Sequence, residues 1–153
     1  YLNMKTIIWI GILFFLTQCG YTAVYKDNTK EKIKITIIEM SGDKELNNLI
    51  KSELKTYFKS DGNKLFNLSI NSDYEKRINT KDTTGKPEEF QLTLITNVNI
   101  NYGDKTDQAL FKESFKMKNS SDTFELKKYE DIIKKNLAKS TKDKLVLKLI
   151  SLE

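Results

Sequence analysis

The chain has 153 residues, with 26 Lys and Arg against 21 Asp and Glu for a formal net charge of +5, one cysteine, one proline and no histidine. Without histidine it lacks the usual general base at neutral pH and any zinc site built on imidazole, and one cysteine permits no internal disulfide. Arg77 is the only arginine, and no basic block or arginine-aromatic interleaving occurs, so nucleic acid is not an expected partner.

The first element is apolar. After Met4 and Lys5 comes an unbroken greasy run from Ile7 to Leu16, then Thr17, Gln18 and Cys19. Such a run makes a helix only about 15 Å long, half of what a hydrocarbon core requires, so it reads as the hydrophobic region of a signal peptide and not as a permanent span. Tyr1, Leu2 and Asn3 precede the expected start at Met4. Leu16, Thr17 and Cys19 resemble a bacterial lipobox, with Gln18 standing where that pattern has a small residue. The resemblance implies that residues 1–18 are removed, that Cys19 is lipidated, and that residues 19–32 form a tether to the membrane. Lipobox proteins carry more than one acyl chain, which at about 0.8 kcal/mol per buried methylene makes a stable anchor. Gly20 in place of Asp after the cysteine implies sorting to the outer membrane, on its periplasmic side.

Residues 33–153 are expected to form a single domain. Ile33, Ile35 and Ile37 alternate in "KIKITII", a strand with one buried face. Leu46, Leu49, Ile50, Leu54, Tyr57 and Phe58 then recur at three and four, predicting a helix over 43–59 with Ser41 or Asp43 as N-cap and Asp61-Gly62 as its stop. Asn47, Asn48, Lys51, Lys55 and Lys59 fall on its polar face. Alternation returns over 65–78, with Phe66, Leu68, Ile70 and Tyr74 inward. It returns again over 90–102, with Phe90, Leu92, Leu94, Val98, Ile100 and Tyr102 inward against an Asn- and Thr-rich outer face. "GDKTD" at 103–107 predicts a hairpin turn, and Ala109, Phe111, Phe115 and Met117 continue as the returning strand. Glu113 falls on the inward parity of that strand, which predicts a bulge or exposure there. Finally Leu126, Tyr129, Ile133, Leu137, Leu145, Leu149 and Leu152 mark a helix of about thirty residues after polar cap residues at 119–122, with Ser140 and Thr141 interrupting the stripe and predicting a bend.

The order is β-α-β-β-β-α. A sheet with one apolar face needs a cover, and two one-sided helices supply it. The expected fold is α+β, a two-layer sandwich of a four-stranded sheet with two helices packed on one face. Its longest connection is "NTKDTTGKPE", residues 79–88, a positive hairpin tip that follows Lys76 and Arg77 and contains Lys81 and Lys86.

Catalytic signatures are missing from the sequence. No Gly-rich loop follows a strand, no serine lies in G-x-S-x-G, and the nearest carboxylate pairs, Glu88 with Glu89, Asp104 with Asp107 and Glu130 with Asp131, fall at a loop, a turn and a helix face. No cofactor or metal is expected, and the expectation is a binding or scaffolding protein.

"CGYTAVY" after the lipobox, the element order and the closing run "FELKKYEDIIKKNLAKSTKDKLVLKLISL" together resemble the lipopolysaccharide-assembly lipoproteins of the LptE type. That resemblance implies a plug inside an LptD-like outer-membrane β-barrel, which it helps to assemble while assisting lipopolysaccharide transport to the outer leaflet. Lys76, Arg77, Lys81 and Lys86 are the expected lipopolysaccharide contacts, on the loop argument alone. The alternative is a lipid-binding or adaptor lipoprotein of another envelope lipid-transport system, which would need a deep apolar cavity of several hundred Å³.

Overall fold

A computed structural model describes residues 33–152. The expected signal peptide, Cys19 and the expected tether lie outside the described residues. The order is β1 (Ile33–Gly42), α1 (Lys44–Phe58), β2 (Lys64–Lys81), β3 (Pro87–Tyr102), β4 (Lys105–Lys118) and α2 (Thr123–Ser151). The strands form one sheet in the order β1-β2-β3-β4, parallel between β1 and β2 and antiparallel thereafter. This is the expected α+β sandwich, with a mixed sheet because α1 serves as the crossover between two parallel strands.

The core lies between sheet and helices. Ile33 and Ile35 of β1, Phe66, Leu68 and Ile70 of β2, Leu92, Leu94, Val98 and Ile100 of β3, and Met117 of β4 bury one sheet face. Leu46, Ile50 and Leu54 of α1 and Ile133, Leu137, Leu145 and Leu149 of α2 meet them. α1 lies over β1 and β2, while α2 runs beside α1 and over β4. Each helix start is capped. The Asp43 carboxylate accepts from the Leu46 amide at 2.8 Å, and Asp122 accepts from the Phe124 and Glu125 amides at 2.9 and 3.0 Å. Such caps stabilise a helix by about 1 kcal/mol each.

Two glycines are demanded by close approach. A Cβ on Gly42, at φ +89, would stand 1.9 Å from the Ser72 carbonyl oxygen, and one on Gly62 would stand 2.5 Å from the Ile33 carbonyl carbon. Gly62 is therefore where the chain entering β2 passes against β1. α1 ends where the sequence placed it, at Phe58 with Lys59 as C-cap at φ −108, and Asp61-Gly62 follows beyond that cap.

Several expectations are corrected. Asn47, assigned to the polar face, is buried, with its amide donating to the Ser41 carbonyl at 2.8 Å and its carbonyl accepting from the buried Ser72 hydroxyl at 2.7 Å. Tyr129 and Phe115 are 44% and 41% exposed and stack edge to face on each other outside the core. Glu113 needs no bulge, because the β3–β4 register runs unbroken through it. Instead α2 covers it: Ser140 donates to Glu113 at 2.9 Å and Lys144 pairs with it at 2.5 Å. The helix is continuous through Ser140 and the buried Thr141, so the polar break in the stripe serves a strand carboxylate without ending the helix.

The long connection is also shorter than expected. β2 continues to Lys81 and β3 begins at Pro87, the one proline, placed at a strand start where its missing N–H does least harm. Only residues 82–86 turn, and Asp82 closes them by accepting from the Thr84 amide, the Thr84 hydroxyl and the Lys86 amide at 2.8, 2.7 and 2.9 Å.

Candidate functional site

Among the described residues the helices cover one face of the sheet and leave the other open. Strand register sorts the open face into rows. Toward the β3–β4 turn, Asn67 lies opposite Asn101 and Asn101 opposite Thr106, followed by Ser69-Asn99-Gln108 and Asn71-Asn97-Leu110. These three rows carry no charge over β2 to β4. The Asn71 amide reaches the Ser41 hydroxyl at 2.7 Å, extending the polar ladder onto β1. The sequence supplies this surface by alternating Asn, Ser and Thr with core residues, so that each strand turns its amides and hydroxyls outward.

The other half of the face is charged. Its rows are Asp73-Ile95-Lys112, Glu75-Thr93-Ser114 and Arg77-Gln91-Lys116, and Lys118 lies opposite Glu89 beyond them. Lys112, Lys116 and Lys118 therefore share an end of the sheet with Arg77. The sequence reading did not name them. The turn at Gly103 and Asp104 joins Tyr102 to Lys105, and counting outward from that pair puts Lys116 opposite Gln91; the signal was present in the hairpin register.

The four basic residues singled out in the sequence do not converge. Arg77 is on the open face, 73% exposed, and pairs with Glu75. Lys81 closes β2 and Lys86 sits in the tip, held there by the Asp82 turn. The Asp82 carboxyl lies below its ordinary value of 3.8, chiefly through the Thr84 hydroxyl and then the Lys86 amide, so it remains an acceptor at neutral pH. Lys76 has the opposite parity to Arg77 and points toward α2, where its Nζ is 2.6 Å from Glu130 Oε2.

That contact belongs to an internal polar cluster. Glu130 also accepts from the Tyr74 hydroxyl at 2.9 Å, Lys134 stands 3.8 Å from it, and Lys134 pairs with Glu45 at 2.7 Å. Lys76 and Lys134 lie over the Phe90 and Tyr74 rings at 4.6 and 4.7 Å. Burial acts to raise the Glu130 pKa, but hydrogen bonds from Lys76 and Tyr74 and the two lysine charges overcome it and hold the carboxyl below its ordinary value of 4.5. Burial first, and then the bond to Glu130, push the Tyr74 phenol far above its ordinary value of 10.0. Every charge in the cluster has a partner, so its chemistry is that of a clamp tying α2 to β2 and α1.

A cavity of about 590 Å³ lies at the outer edge of β1, against α1. It is an open groove whose walls mix Ile37, Met40 and Phe58 with Lys44, Asn47, Asn48 and Lys51. Among the described residues no cluster of three or more acidic or cysteine side chains could hold a metal, and no helix is long and apolar enough to cross a membrane.

No protein-family model and no curated protein matches the sequence. Solved structures do match the fold. Rare lipoprotein B from Shewanella oneidensis superposes with a TM-score of 0.58 at 13% identity, covering 76% of this chain and 96% of that one. Lipoprotein B from Nitrosomonas europaea gives 0.53 at 12% identity over 76% of this chain and 79% of that one. A Caulobacter crescentus lipoprotein gives 0.52 at 13% identity over 81% and 91%. At these identities the likeness establishes a shared fold.

Proposed function

We propose that this chain is a non-enzymatic lipoprotein of the outer membrane that plugs and helps assemble an LptD-like β-barrel and assists lipopolysaccharide transport to the outer leaflet. The observation that carries the reading is the open sheet face with its three uncharged rows. A barrel lumen is lined by polar groups, and a body seated in it must offer hydrogen-bonding groups that lose little when water leaves. Rows of Asn, Ser, Thr and Gln, broken by the exposed Leu110 at the β4 end, meet that requirement, whereas a lipid-facing surface would be apolar throughout. The fold shared with three bacterial lipoproteins and the "CGYTAVY" start are consistent with it.

Lipopolysaccharide would be met at the charged end of the sheet. Its phosphates and carboxylates suit the exposed Arg77 and the lysines Lys81 and Lys86, with Lys112, Lys116 and Lys118 extending the same surface. Lys76 contributes from behind, holding β2 to α2 through Glu130. The alternative of a lipid carrier is less well served, because the β1 groove is open and its α1 wall carries Lys44, Asn47, Asn48 and Lys51.

The test is recovery of the tagged chain from outer membranes in mild detergent. A plug brings down a large β-barrel at one-to-one stoichiometry, and replacing Asn97 and Asn99 by Asp lowers that yield by crowding charge into the lumen. Recovery of the chain as a free lipoprotein from the same membranes overturns the reading.

A further inference from the structure

Among the described residues the sheet has two free edges, and they are not alike. β4 carries Lys105, Lys112, Lys116 and Lys118 along its length. Edge lysines are a common guard, since any strand that pairs there must strip or face them. β1 has charge only at Lys34 and Glu39 within Ile33–Gly42, and among the described residues β2 is its one hydrogen-bonded neighbour. Its register slips between Ile37 and Glu39: Ile38, 62% exposed, keeps the outward parity of Lys34 and Thr36, and the slip sets Glu39 outward and Met40 on the inner face, with regular strand on either side. The edge is therefore interrupted once and otherwise unguarded.

Beside this edge lies the groove described above. Ile37, Met40 and Phe58 are packed against the core on one side only. Lys44 and Lys51, one above the other on the facing side of α1, make no ion pair or hydrogen bond among the described residues. Among the described residues the site thus offers three things in a line: unpaired main-chain donors and acceptors on β1, an apolar floor, and two cations on the α1 wall against one carboxylate, Glu39, on the strand.

We propose that the β1 edge binds an extended polypeptide segment of a protein partner, one that alternates apolar and acidic side chains and adds a fifth strand to the sheet. The free N–H and C=O groups select a peptide over an acyl chain, which could fill the floor but could not pair with the backbone. Alternate apolar side chains would rest on Ile37, Met40 and Phe58, and carboxylates on Lys44 and Lys51. This inference is independent of the lipopolysaccharide reading, because it uses the opposite edge of the sheet from β4 and none of the tip residues.

The probe is a short capped peptide of alternating valine and glutamate, titrated into the full chain in non-ionic detergent, with amide hydrogen exchange followed by strand. Saturable binding with slowed exchange in β1 and none in β4 is expected. Methylating every second backbone nitrogen of the peptide should weaken it at least about tenfold, the loss expected when pairing donors are removed. Lys44→Glu with Lys51→Glu, both on the solvent side of α1, should weaken the unmodified peptide by about tenfold while leaving the circular dichroism unchanged, and a valine-lysine peptide should bind the wild type poorly. Equal binding of the methylated peptide, equal protection of β4, or self-association of the chain through β1 in place of peptide binding would each overturn the proposal.

Discussion

Glu130→Ala removes the centre of the clamp between α2 and β2, and its cost can be worked from the geometry. The carboxylate is 11% exposed and takes one charge-assisted bond from Lys76 and one from Tyr74. Breaking a fully buried ion pair costs about 3–5 kcal/mol. Here Lys76 keeps 30% of its side-chain surface and can turn to water, and Lys134 retains Glu45. The loss therefore reduces to two hydrogen bonds to a carboxylate, about 3 kcal/mol together after relaxation. For a domain of this size that is a fall of roughly 10 °C in Tm. Urea denaturation measures it directly, and a double-mutant cycle with Lys76→Met should return a coupling of about 1 kcal/mol or more.

The acid limb of the stability curve adds a second readout. Because the folded pKa of Glu130 lies below its ordinary 4.5, its contribution is present above that value and is lost as pH falls through the depressed one. Glu130→Gln should flatten that part of the curve. A cost below about 0.5 kcal/mol for Glu130→Ala, the range of an ordinary surface substitution, would refute the clamp.

Gly42→Ala and Gly62→Ala should each destabilise by more than about 2 kcal/mol, because backbone atoms of Ser72 and Ile33 must move, whereas Gly85→Ala, with open space around it, should cost only about 1 kcal/mol of left-handed strain; thermal unfolding ranks the three. Glu113→Ala should cost about 1–2 kcal/mol by leaving Ser140 and Lys144 without their acceptor, and Glu113→Gln should recover part of it in the same assay. Arg77→Glu with Lys116→Glu should weaken lipopolysaccharide binding by about tenfold or more without shifting Tm, while Lys76→Glu should lower Tm by setting two carboxylates against each other; equal effects of the two variants on Tm would contradict the assignment. Cys19→Ser should move the chain out of the membrane fraction, with loss of acyl mass at its N-terminus as the direct measurement.

The sheet and helices were legible because their periods are clean: Leu92, Leu94, Val98 and Ile100 alternate, and Leu46, Ile50 and Leu54 step by four. What periodicity could not reveal is which polar residues fold inward as partners. Asn47 reads as surface until Ser72, on a distant strand, is placed opposite it. Glu113 reads as a defect until Ser140 and Lys144 arrive from α2. Lys76 and Arg77 look like one basic pair in sequence, yet a strand sends neighbours to opposite faces, and only the position of Glu130 shows that Lys76 is spent internally. Hairpin register made the lysines of β4 findable. The turn at 82–86 was not, since its closure depends on where Asp82 aims its carboxylate.

The division of the open face into uncharged and charged halves gives the molecule unequal responses to ionic strength. Screening lengths shrink from about 10 Å at 0.1 M to about 3 Å at 1 M salt, which weakens contacts made by Arg77, Lys112 and Lys116 and leaves amide and hydroxyl contacts nearly untouched. If the chain seats in a barrel as proposed, a wash in rising salt would free the tip first and leave the asparagine rows in place, so the two ends can be uncoupled in one experiment without altering a residue.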